Sequence, residues 1–270
     1  MRNRSFLVLS LFIIGLVLLS SCRQAQSNLA SLPTSEPLPV SEQAELAIGT
    51  HLSYTVTNAS GSQVAQFKSE VVSSEPLEEY QTWKVVTNIQ VAAGPAQQIT
   101  STAWVDQESG VVLRSEYKVV YEQPQANTFD GKQVKIKEFH NSRTFDLSGN
   151  TMEETQKVVD ADGEEYLVSN SDAADYSIFR LTHPVQAGDY YPWQTTAYPH
   201  QVEGEQQIST PAGEFKAWVI KRFVVPDQQY YLEFFDQASG LLVKSENWAR
   251  QGDEWKKIEE TVLTGLQSGK

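Results

Sequence analysis

The sequence predicts an all-β fold of antiparallel strands, arranged as two related units with one short helix between them. Three observations predict it. Apolar and polar residues alternate at period two along much of residues 46–267, the pattern of strands wet on one face and buried on the other. Gly, Asn and Asp clusters punctuate these runs at hairpin intervals. Finally, DQESGVVLRSE at 106–116 nearly coincides with DQASGLLVKSE at 236–246, with six identities and four conservative changes in eleven positions, 130 residues apart. In each copy an Asp can bond its own backbone, and a Gly supplies the positive φ that closes a four-residue hairpin turn.

The elements follow in chain order. Residues 1–21 open with Arg2 and Arg4, run apolar from 6 to 19, and end in the small residues Ser20 and Ser21 before Cys22. A basic start, a short apolar core and a small-residue cleavage site are the parts of a secretory signal. The apolar run is shorter than the ~20 residues of a spanning helix. With Leu19, Ser20, Ser21 and Cys22 in sequence, the segment is similar to a bacterial lipoprotein signal and its lipobox. The resemblance implies cleavage between Ser21 and Cys22, diacylation of the Cys22 thiol and attachment to a membrane through it. An ordinary secretory signal with an incidental Cys22, or an uncleaved anchor helix, are the alternatives. Residues 22–45 contain Pro33, Pro37 and Pro39 among Ser and Gln with no apolar period, and read as a flexible tether.

The first β unit spans 46–145. Leu52, Tyr54 and Val56 alternate in its first strand, Asn58 to Gly61 turn the chain, and Val64 and Phe67 begin the return. Further strands are expected at 83–91, 99–105 and 111–121, with another around Ile136. Asp130-Gly131, Ser148-Gly149-Asn150 and Asp162-Gly163 mark turns. A linking hairpin and the short helix occupy 146–182, the helix running from Ala173 to Leu181 with Asp172 as its cap. Pro184 stops it. The second unit spans 183–270, with strands at 190–196, 201–208, 215–225, 230–235, 241–248 and 255–262. The last also fits a helix through Ile258 and Val262, but its β-branched Thr261 and Val262 favour a strand.

Three features make the body similar to the LolA/LolB-like envelope lipoprotein superfamily. They are Val185-Gln186-Ala187-Gly188-Asp189-Tyr190, Ser209-Thr210-Pro211-Ala212-Gly213-Glu214-Phe215, and the Asp-x-x-Ser-Gly turn before a strand studded with basic residues. The resemblance implies half-open antiparallel barrel units with an apolar concave face, and in some relatives the carriage of lipid or acyl chains. The doubled unit departs from the single-domain carriers.

Composition narrows the function classes. The net charge is −13, and removing Arg2 and Arg4 with the signal makes it more negative, which disfavours nucleic acid. Cys22 is the one cysteine, so an acylated chain has no thiol for a disulfide or a thiolate metal site. His51, His140, His183 and His200 show no metal-ligand spacing. Asp106 and Asp236 sit where turn caps belong, rather than as a catalytic carboxylate pair. Ser109 and Ser239 lack the Gly-x-Ser-x-Gly elbow, and no nucleotide or cofactor fingerprint is present. No catalytic residue and no cofactor is therefore expected.

One feature suggests binding. Tyr190, Tyr191 and Trp193 cluster, as do Tyr230, Tyr231 and Phe234. Adjacent aromatics in a strand point to opposite faces, so one set fills the core while the other covers or lines a second face. These six residues are the candidates for a groove that takes a lipid, an apolar molecule or a glycan. The expected function is a non-catalytic binding or envelope-maintenance lipoprotein at a bacterial cell membrane or outer membrane. The alternative is an assembly subunit that pairs with another envelope protein through an exposed aromatic face.

Overall fold

The computed structural model of the protein describes residues 46–95, 97–146, 151–173, 177–190, 200–225 and 228–269. They form one antiparallel sheet. Its strands are β1 (His51–Asn58), β2 (Gln63–Leu77), β3 (Tyr80–Val91), β4 (Gln97–Asp106), β5 (Val112–Phe129), β6 (Lys132–Asp146), β7 (Thr151–Asp160), β8 (Glu165–Ala173), β9 (His200–Thr210), β10 (Gly213–Val225), β11 (Gln229–Asp236), β12 (Leu242–Gln251) and β13 (Glu254–Gln267). The order across the sheet is β8-β7-β6-β5-β4-β3-β2-β1-β13-β12-β11-β10-β9. Every neighbour is reached by a hairpin except β1 and β13, which join the first half of the chain to the last.

Two expectations are corrected here. The first is the pair of half-barrel units. The edge strands β8 and β9 do not pair with each other, so the sheet is open, and the β1–β13 ladder makes it continuous. Its largest apolar cluster includes Leu52, Val71 and Val85 from one half and Val219, Phe234 and Leu263 from the other. The doubling survives only within that sheet, as matching turns. The second correction is the helix over 173–181. Residues 174–176 lie outside the described residues, and 177–181 are extended. Ile178 bridges Val111 and Arg180 bridges Leu241. An isolated helix of two turns is marginal, whereas the extended segment finds backbone partners on both sides.

The strands are longer than the apolar alternation suggests. β5 continues past Val120, where the register shifts before Gln125. Pro124 falls in that irregularity, a position where its missing N–H breaks no ladder bond. β7 and β8, expected as a linking hairpin, extend the sheet beyond β6 instead of standing between two bodies.

Candidate functional site

The two matching sequences build turns with the same hydrogen bonds. Asp106 Oδ2 accepts from the Ser109 amide at 2.8 Å and from its hydroxyl at 2.6 Å, and Asp236 Oδ2 accepts from Ser239 at 2.8 and 2.7 Å. The Gly110 amide donates to the Asp106 carbonyl at 2.9 Å, and that of Gly240 to Asp236 at 2.8 Å. Both glycines sit at φ +72°, a conformation that costs other residues dearly. The basic residue four positions past each glycine also lies over an aromatic ring: Arg114 over Trp104 at 4.7 Å, and Lys244 over Phe234 at 5.4 Å.

The segment 177–181 crosses between these turns. The Phe179 amide donates to the Gly110 carbonyl at 2.9 Å, and the Leu181 amide to the Gly240 carbonyl at 2.8 Å. The Val112 amide donates to the Ser177 carbonyl at 3.0 Å, and the Arg180 Nε to the Ser239 carbonyl at 2.8 Å. A Cβ at Gly110 would strike the Arg180 carbonyl, and one at Gly240 the Leu181 carbonyl. Both glycines are thus required twice, by the turn and by the chain that lies on it.

Beneath this crossing segment lies a cavity of about 110 Å³. Phe67, Val85, Ala103, Val112, Ile178 and Leu242 give it apolar walls, and Tyr54, Ser69, Thr87, Arg222, Glu233 and Thr261 bring polar groups to it. The Tyr54 hydroxyl donates to the Leu242 carbonyl at 2.9 Å, and burial raises its pKa. Ser69 Oγ and Thr87 Oγ1 bond each other at 2.8 Å. Arg222 Nε donates to Glu233 Oε1 at 3.2 Å, and its guanidinium lies 4.7 Å from the Tyr231 ring.

These polar groups belong to rows running across the strands, because directly paired residues of neighbouring strands share a face. One row is Ser69, Thr87, Ser101, Tyr117 and Asn141 on β2 to β6. Another is Glu233, Ser245 and Thr261 on β11 to β13, flanked by Ile220 and Val56. Beside it run His200, Arg222, Tyr231, Asn247 and Glu259. The hydroxyls of Ser101, Ser245 and Thr261 and both ring nitrogens of His200 are buried without a hydrogen-bond partner among the described residues. Each such group costs about 1–3 kcal/mol. Burial, and then the charge of Arg222, pushes the His200 imidazole well below its usual range. Burial pushes the Glu259 carboxyl up to about 7.

The aromatic candidates do not converge on this cavity. Tyr190 is 38% exposed and bridges Gln201. Tyr191 and Trp193 lie outside the described residues, as do Ser21 and Cys22. Tyr230 and Tyr231 are both buried and point to opposite faces of β11. Tyr230 packs on the reverse face with Trp248, at 6.2 Å and nearly parallel, and with Trp255 at 4.7 Å. Phe234, on that same reverse face, is buried too. Tyr231 joins the polar rows through its hydroxyl, which accepts from Asn247 Nδ2 at 3.1 Å.

Sequence reasoning missed the polar set because it searched for aromatics. A signal was present: Ser69, Thr87 and Ser101 fall in the apolar phase of their strands, and Arg222 and Glu233 interrupt apolar runs. Among the described residues no cluster of His, Cys, Asp and Glu could hold a metal ion.

No protein-family model matches the chain, and no curated protein does. Solved structures similar to it include the following two. One is a candidate lipoprotein from Parabacteroides distasonis, 14% identical, with a TM-score of 0.40 over 82% of this chain and 96% of that one. The other is a candidate exported protein with a YmcC-like fold from Bacteroides fragilis, 11% identical, with a TM-score of 0.35 over 82% of this chain and 97% of that one. Likenesses this distant carry no weight in reading the site.

Proposed function

We propose that this protein is a membrane-anchored, extracytoplasmic lipoprotein that binds a small apolar molecule and catalyses no reaction. The cavity under the crossing segment carries the reading. It is walled by apolar side chains and covered by a segment held through a few backbone bonds at two turns. Its volume limits the occupant. A cavity of roughly 150 Å³ accommodates benzene, so about 110 Å³ suits a group of a few carbons, or the end of a longer chain. Anchoring rests on Leu19 to Cys22 and on the membrane affinity of two acyl chains, each buried CH₂ contributing about 0.8 kcal/mol.

The full lipoprotein, purified from its own membranes, is to be extracted and its small molecules identified by mass spectrometry, alongside a titration with xenon, an apolar probe smaller than benzene, followed by NMR. A stoichiometric apolar compound, or saturable shifts at Phe67, Val85 and Ile178, is the expected result. Clean extracts together with unsaturable shifts would refute the binding role. Globomycin tests the anchor separately, since it must leave a heavier precursor that retains residues 1–21.

A further inference from the structure

We infer that the outer edge of β8 is a docking surface for a second copy of this chain, the two β8 strands pairing antiparallel about a two-fold axis at Leu167. No β8 residue lines the cavity, so this surface and the binding role stand or fall separately.

An open sheet has two edges, and proteins blunt theirs with bulges, lysines, prolines or a covering segment. The two edges here differ. β9 is bulged opposite Val219 and Ile220, and the segment before it covers its outer side. The Gly188 amide donates to the Val202 carbonyl and the Val202 amide to the Asp189 carbonyl, both at 2.8 Å, and Tyr190 bridges Gln201. β8 has none of these devices. Its nine residues, EYLVSNSDA, contain no Lys and no Pro. Its register with β7 runs unbroken from Glu165 to Ala173. No strand lies on its outer side among the described residues. At its middle stands Leu167, 65% exposed, the most exposed large apolar side chain among the described residues.

The strand's own sequence selects a second copy. In a two-fold pair the same patch serves both partners, so it must complement itself. Centred on Leu167, the pairing sets Leu167 against Leu167 and Tyr166 against Val168 of the second copy. Centred on Val168, it would set Leu167 against Ser169 and Tyr166 against Asn170. Centred on Ser169, it would set Leu167 against Ser171 and Val168 against Asn170. Only the first register matches apolar with apolar on both faces, the arrangement that stabilises cross-strand neighbours. Charge agrees. Between 165 and 169 the one charged residue is Glu165, which meets Ser169 of the second copy and is already paired with Lys157 at 2.6 Å. Tyr166 and Val168 pack half-buried against Phe129, Val134, Ile136 and Val158, and the second copy would continue that apolar row beyond the present edge. A contact of this length is smaller than a standard interface, so the pairing is reversible and a covalent trap is the way to detect it.

The test uses the full chain in the cells that make it, carrying Leu167→Cys or Ser171→Cys and oxidised with copper–phenanthroline. The wild type, whose one cysteine is Cys22, sets the background. The two Leu167 positions face each other at the axis, within reach of a disulfide, whereas the two Ser171 positions would stand roughly 27 Å apart. The expected result is a disulfide-linked band at twice the chain mass from Leu167→Cys and only background from Ser171→Cys. In a second arm the chain is cross-linked with an amine-reactive ester, since Lys157 pairs with Leu167 and the two copies of Lys157 would lie three strand spacings, roughly 14 Å, apart. Leu167→Asp sets like charges against each other at the axis and should abolish that dimer without lowering the melting temperature, the side chain being exposed. No band from Leu167→Cys, or equal bands from both cysteine variants, would overturn the proposal. A dimer that persists in Leu167→Asp would place the contact elsewhere and overturn the edge. A Leu167→Cys product of any other mass would identify a different protein as the partner and overturn the second copy.

Discussion

Thr261 burdens the folded state, because its buried hydroxyl lacks a partner among the described residues. Thr261→Val keeps the shape and removes the hydroxyl, so it should stabilise the ligand-free protein by about 1 kcal/mol. A thermal melt should show a rise of about 2–4 °C for a body of this size; a fall would mean that the hydroxyl is satisfied in solution. Glu259 and His200 set opposite pH trends. The folded Glu259 carboxyl titrates at about 7, above its unfolded value, so the native state holds a proton that the unfolded chain has released. Its contribution therefore falls as pH rises from the ordinary carboxyl range towards 7. Glu259→Gln should flatten that slope, and an unchanged pH profile of the melting temperature would discard the assignment. His200 is depressed, so the unfolded chain takes up a proton first and stability drops as pH falls below the ordinary imidazole range. Neither the buried His200 nor the half-buried Glu259 was legible in the sequence as a desolvated titratable group. A Glu among Lys and Ile in β13, or a His after a proline, looks like surface until the cross-strand neighbours are known.

At the scale of the element, the crossing segment and its two turns form one unit. Gly240→Ala forces a side chain into a left-handed backbone and into the Leu181 carbonyl, which should cost about 1–3 kcal/mol. Hydrogen exchange at Phe179 and Leu181 should speed up more than exchange in β3 or β4. Uniform loss of protection would show instead that the turn supports the whole sheet. Gly110→Ala should act at the opposite end of the same segment. The turns were legible because their chemistry is local: Asp, Ser and Gly at fixed offsets suffice. Most strands were legible for the same reason, through alternation. The segment 177–181 was not, because its conformation is decided by carbonyls at Gly110 and Gly240, roughly 70 residues before it and 60 after. Tyr176 and Phe179, three apart as on a helix face, cannot reveal that.

At the scale of the whole molecule, the ladder between β1 and β13 holds the two halves in one sheet. A chain ending at Gly252 lacks β13 and leaves β1 and β12 with bare edges. It should fail to reach a protease-resistant state, and a compact, resistant product would show that the halves fold independently. This pairing was invisible to a reading by periodicity, which identifies strands but not their neighbours. The repeat at 106 and 236 pointed towards two bodies, although the continuous register from β2 through β1 to β13 leaves no boundary between them.

That pairing also sets an order of events during synthesis. The Thr264 hydroxyl donates to the Ser53 carbonyl across 211 positions, and such distant partners make folding slow, since chain closure must precede the bonds that reward it. The first strand to leave the ribosome must wait for the last. Until then its free edge stays open to pairing with other chains, as any unpaired strand edge does.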